Sequence, residues 1–95
     1  MNLRTQSPPN DPPQYEWDNE KARQDLEKHG VAFDAVQGFD WAGAIEAEDM
    51  RFDHGETRIQ ALGKIGDRYH VLVYVQRRDT IRVISLRKPN KREVP

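Results

Sequence analysis

Apolar residues recur with the spacing of β-strands along three successive stretches of the chain's second half, the first of them alternating. Thr57–Ile65, Tyr69–Gln76 and Thr80–Leu86 are each predicted as strands. Gly66-Asp67 and Arg77–Asp79 between them have hairpin length, so the three form an antiparallel meander. In the middle strand Val71, Val73 and Val75 share one face, and His70, Leu72, Tyr74 and Gln76 share the other. The last strand, Thr80–Lys88, mixes apolar residues with Arg82, Ser85, Arg87 and Lys88. Regular alternation sends Ile81, Val83, Ser85 and Arg87 one way and Arg82, Ile84 and Leu86 the other. Arg82 and Arg87 then lie on opposite faces unless the strand bends or stops at Leu86. These cations either end the strand, with their stems reaching to water, or serve a ligand.

The first half is patterned differently. Tyr15–Trp17 suits a first strand or an anchor before a helix, and Asp18 stands at the N-cap position of that helix. From Asn19 to His29, Ala22, Leu26 and His29 recur at helical spacing, Glu20 favours the positive helix start, and Lys28 and His29 favour its end. Gly30 supplies a left-handed stop, with Leu26 and Val31 as the apolar pair of a Schellman motif, and Trp17 can staple onto Ala22. Phe33, Val36 and Gln37 predict a second short helix, broken by Gly38, before Phe39-Asp40-Trp41 turns the chain. Ala44–Glu48 is a weak strand, and Glu48–Glu56 is a loop with Asp53-His54-Gly55 at its tip. Helices first and an antiparallel sheet afterwards give an α+β fold, the helices on one sheet face and the other face open. Met1–Gln14, with Pro8, Pro9, Pro12 and Pro13 and almost nothing apolar, is expected to be a flexible tail before a single domain spanning 15–95.

Composition adds two constraints. The 95 residues include no Cys, which fits a reducing compartment, and neither a membrane-length apolar run nor a signal-peptide core is present, so a cytoplasmic protein is expected. The net charge of −1 conceals a division: residues 1–56 carry 5 Lys or Arg against 13 Asp or Glu, and residues 57–95 carry 10 against 3. A basic half points to a polyanion such as RNA, although an acidic helical layer could simply neutralise a basic sheet.

Five short motifs stand in order: Tyr15-Glu16-Trp17-Asp18, Lys28-His29-Gly30-Val31, Phe39-Asp40-Trp41, Gly55-Glu56-Thr57-Arg58 and Ile81–Lys88. Together they resemble BrnT toxins, the toxin components of type II toxin–antitoxin modules, over about Tyr15 to Glu93. The resemblance implies a RelE-like ribonuclease fold, translational arrest through RNA cleavage and neutralisation by a BrnA-type antitoxin. Such toxins usually continue past Arg92-Glu93-Val94 with a further helical stretch, and activity would be weaker here if that stretch binds substrate. The Pro-rich segment before Tyr15 lies outside the family pattern.

RNA cleavage without a metal requires a deprotonated ribose 2′-hydroxyl in line with the phosphate, positive charge on that phosphate and a proton for the leaving oxygen. Arg58, Arg82 and Arg87 match family motif positions, and a guanidinium fork suits a phosphate. His29 could exchange protons near neutrality, with Glu56 orienting it or acting itself, and Ser85 could add a hydrogen bond. The expected catalytic set is therefore His29, Glu56, Arg58, Ser85 and Arg87, with Lys28, Arg82 and Lys88 binding RNA. Each has a plainer role open to it: His29 as a helix cap or core residue, Glu56 as a partner for Arg58. His54, His70 and Asp53 lack close ligand spacing, so neither a metal nor a cofactor is expected. Tyr69 and Tyr74 could stack bases or belong to the core. From the residues alone, a non-catalytic RNA- or protein-binding module, or a decayed toxin that only binds its antitoxin, remains the alternative.

Overall fold

Local chemistry closes the first helix at both ends. In the computed structural model, which describes residues 13–49 and 56–95, α1 spans Asn19–His29. Asp18 Oδ1 accepts from the backbone N–H of Glu20 at 2.9 Å and of Lys21 at 3.4 Å, satisfying two of the helix's orphan donors. At the other end Gly30 takes φ 74° and its N–H donates to the Leu26 carbonyl at 2.8 Å. This is the single-bond left-handed stop, in place of the expected Schellman motif. Val31 is drawn into the core, whereas Leu26 stays 46 % exposed, so burial competes successfully with the local apolar pair. A short 3-10 helix follows at Phe33–Gly38.

Five strands form one sheet: β1 (Gln14–Glu16), β2 (Ile45–Asp49), β3 (Arg58–Ile65), β4 (Arg68–Arg77) and β5 (Thr80–Arg87), in the spatial order β1-β5-β4-β3-β2. The meander β2 to β5 is antiparallel. β1 departs from the expectation by pairing parallel to β5, which makes the sheet mixed. The two are the first and last strands, so everything from α1 to β4 lies between them, far more chain than a parallel connection requires. The weak strand expected at Ala44–Glu48 is β2, which runs one residue further, through Asp49, into the expected loop. The tip Asp53-His54-Gly55 and the tail through Pro12 lie outside the described residues. The second hairpin loop is tighter than expected, because Arg77 pairs with Thr80 and leaves only Arg78-Asp79 to turn.

The core lies on one side of this sheet. Ala61, Leu72, Tyr74, Ile81, Val83 and Leu86 from the strands form a buried cluster with Val31, Phe33, Val36 and Phe39. Ala22 of α1 packs against it, and Trp17 meets Phe33 edge-on at 6.0 Å. Trp41 closes the margin, edge-on to Phe39 and Tyr74, while its Nε1–H donates to the Tyr15 hydroxyl at 2.8 Å. Tyr74 is thus a core residue whose hydroxyl donates to Glu46 at 3.2 Å, and burial with that carboxylate beside it pushes the phenol up to about 12. His70 is buried in the same face of β4, its Nδ1 donating to the Arg68 carbonyl at 3.0 Å.

Candidate active site

The decisive local feature is a register shift between β4 and β5. Leu86 lies opposite Leu72 and Ser85 opposite Val73, but Tyr74 faces Val83, so Ile84 has no counterpart on β4. Such a bulge reverses the alternation of every residue beyond it. Ile81 and Val83 before it and Leu86 after it therefore all enter the core. Arg82, Ser85 and Arg87, opposite Val75, Val73 and Val71, all reach the open face. The expectation that Arg82 and Arg87 part company is overturned for this reason. The extra residue is held from behind: Lys21 Nζ of α1 donates to the Ile84 carbonyl at 3.0 Å and to Asp25 Oδ1 at 3.0 Å. Asp25 itself is 5 % exposed.

Direct pairing brings further charges to the same face. Arg58 lies between Asp49 on β2 and Val75 on β4; Arg77 is opposite Thr80; Glu16 on β1 is beside Arg82. Glu56 grips Arg77 in a two-pronged pair, Nε to Oε2 at 2.8 Å and Nη2 to Oε1 at 2.9 Å. Glu16 Oε2 accepts from both Arg77 and Arg82 at 3.4 Å. Those hydrogen bonds from Arg77, and the nearby charges of Arg77, Arg82 and Arg58, hold the Glu56 carboxyl below its ordinary value, so it is ionised at neutral pH. The two-pronged partner of Glu56 is Arg77, with the Arg58 charge close enough to act on it as well.

Arg87 meets a third carboxylate. Its Nη1 and Nη2 donate to Glu93 Oε1 and Oε2, each at 2.9 Å, in the parallel fork that a guanidinium makes with two oxygens. Glu93 reaches it through a capping box. Asn90 Oδ1 accepts from the N–H of Arg92 and Glu93, and Glu93 Oε1 accepts from the Asn90 N–H at 2.9 Å. The Arg87 bonds, aided by the Asn90 amide, depress the Glu93 carboxyl to about 2. Beside it a groove of about 220 Å³ runs over Ile45, Ala47, Leu62 and Val71. The open face is therefore an apolar valine floor crossed by arginines, with Arg77, Arg82 and Arg87 each paired to an acid of the same chain. The neutralising groups come from β1, the segment before β3 and the C-terminal turn, and not from the helical layer.

A family model described as ribonuclease toxin, BrnT, of type II toxin–antitoxin systems matches residues 17–93. The chain belongs to this family. No curated protein matches it. This BrnT chain is accordingly a ribonuclease toxin of a type II toxin–antitoxin system, and a polyanionic substrate gives meaning to a face built of arginine forks.

The BrnT fold sorts the residues singled out from sequence. Glu56, Arg58, Arg82, Ser85 and Arg87 come together on or beside the open face. Lys28 and His29 end α1, which packs on the core side of the sheet, and the Lys28 charge suits the helix C-terminus. Lys88 stands exposed just beyond β5 in a depression shared with Tyr69, His70 and Pro89. Among the described residues no group of three or more His, Asp or Glu is arranged to hold a metal ion, and no helix is long and apolar enough to cross a membrane. Sequence reasoning missed Glu16, Arg77 and Glu93. The spacing of Asn90 and Glu93 is a capping signal that could have marked the last of these, whereas nothing local reveals the pairs made by Glu16 and Arg77.

Proposed function

We propose that this BrnT toxin is a metal-independent endoribonuclease of RelE-like fold, a single domain over residues 15–95 acting in the cytoplasm. The observation that carries the reading is the bulge at Ile84, which gathers Arg82, Ser85 and Arg87 on one face. The two guanidinium groups grip the scissile phosphate and stabilise the charge that builds on its oxygens, and Ser85 between them donates to one of those oxygens. Arg58 adds positive charge alongside. Glu56, ionised and steadied by Arg77, receives the proton of the ribose 2′-hydroxyl. The 2′-oxygen then bonds to phosphorus as the bond to the 5′-oxygen breaks. A 2′,3′-cyclic phosphate remains on one fragment, and the other leaves as a 5′-hydroxyl after taking a proton from water. Positive charge at the phosphate thus comes from arginine, the service a divalent cation gives elsewhere.

The partner proposed is a BrnA-type antitoxin that covers this face. Apolar side chains would seat in the groove over Ile45, Ala47 and Leu62, and acidic ones would exchange with the carboxylates already on the arginines. The test of the enzyme is cleavage of single-stranded RNA by purified protein in EDTA without ribosomes. Wild type is expected to cut, and Arg87→Ala to lose about 100-fold or more in rate, the scale seen when one stabilising donor is removed. Cleavage that EDTA abolishes, or that Arg87→Ala leaves intact, would refute the metal-free arginine mechanism.

A further inference from the structure

Arg87 offers two parallel N–H donors on the open face, and the ligand already seated there is a carboxylate of the same chain. Glu93 satisfies both prongs at 2.9 Å. Its geometry is that of an oxyanion with two oxygens, the arrangement a phosphodiester presents to a guanidinium. The group is delivered by a short element outside the sheet. Residues 90–93 form one turn held by the Asn90–Glu93 capping box, and Pro89 separates it from β5. Neighbouring Lys91 and Arg92 are exposed. Both Arg87 and Glu93 are 26 % exposed at the side chain, so water and solutes reach the pair.

We propose that the turn 90–93 is an anionic strap, with Glu93 occupying the phosphate seat of Arg87 in the free protein, and that an RNA backbone phosphate displaces it on binding. This rests on the ribonuclease reading above and adds to it a built-in competitor. The strap lowers the affinity of the face for stray anions and requires a ligand that engages the rest of the face before Arg87 is released. As the strap swings away, the Glu93 carboxylate passes to water and the Asn90 capping box opens with it.

The test is a double-mutant cycle on the full chain. Its probe is a short fluorescein-labelled 2′-O-methyl RNA, which cannot be cut because the attacking hydroxyl is blocked. Glu93→Gln keeps a capping acceptor while removing the charge, and it is expected to bind about five- to tenfold tighter than wild type. Arg87→Ala is expected to bind more weakly, and adding Glu93→Gln to it should change affinity by less than about twofold, since the seat is gone. Hydrogen exchange gives an independent readout: the amides of Arg92 and Glu93, bonded to Asn90 Oδ1, should lose protection when wild type binds the probe. Thermal melting checks that each variant is folded, and if Arg87→Ala is not, Arg87→Lys, which lacks the fork, replaces it in the cycle. Wild type that binds RNA with no gain from Glu93→Gln, with an equal gain in the absence of the fork, or with the turn still protected, would overturn the strap and leave the ribonuclease reading standing. Failure of every folded form to bind would overturn both.

Discussion

Single residues carry most of the open face's chemistry, and two residues, one on that face and one against the core, give sharp tests. The Glu93 carboxyl is lowered from 4.5 to about 2 by Arg87 and the Asn90 amide. A depressed acid stabilises the folded form above its unfolded value, and that contribution is lost as pH falls through the folded one. The turn 90–93 is therefore expected to come loose between about pH 4.5 and 2, with the carboxyl carbon of Glu93 titrating near the lower limit by NMR. An ordinary midpoint would break the link between Glu93 and Arg87. Gly63 is the second test. A Cβ built there would stand 2.6 Å from Phe39 Cζ, and the neighbouring Ala44 Cβ leaves little room to yield. Gly63→Ala should cost about 1–3 kcal/mol by overpacking, read as a lower midpoint in urea. An unchanged midpoint would mean that the ring moves aside freely.

At the scale of elements, the bulge on β5 and the helix behind it act as one device. Lys21 ties α1 to the Ile84 carbonyl and to the buried carboxylate of Asp25. Lys21→Met keeps most of the stem but leaves both acceptors without that donor, for an expected loss of about 1–3 kcal/mol. The same variant should lower RNA cleavage more than it lowers stability, because the parity that sets Arg82 beside Ser85 and Arg87 depends on where the extra residue sits. Equal activity at a temperature where the variant is fully folded would show the bulge to be fixed by strand packing alone. The helix caps were legible in sequence because Asp18, Glu20 and Gly30 act on neighbours within a turn or so. The bulge was not read: the adjacent apolar pair Val83-Ile84 breaks the alternation, but only the register of β4 shows that Ile84 is the extra residue.

For the molecule as a whole, the sheet order predicts a gradient of stability. β4 is central and its run His70–Val75 is buried, whereas β1 has three residues and β2 is an edge with exposed Ile45. Native-state hydrogen exchange should find the β4 amides opening only with global unfolding and those of β1 and β2 opening locally at lower free energy. Uniform exchange across the sheet would contradict that order. The sequence by itself determined α1 and its stops, the β-meander and the face that Val71, Val73 and Val75 share, because periodicity and capping are properties of adjacent residues. The motifs that carry the BrnT resemblance were likewise present in the linear chain, and the family match over residues 17–93 bears out the resemblance, covering all of them but Tyr15-Glu16. Only the tertiary structure decided that β1 runs parallel beside β5, that Arg82 and Arg87 share a face, and that Glu16, Glu56 and Glu93 sit on the arginines. Those outcomes depend on strand order and on charges that meet through space, which leave no mark on local spacing, and on a one-residue offset whose trace, the adjacent pair Val83-Ile84, gains meaning only against the register of β4.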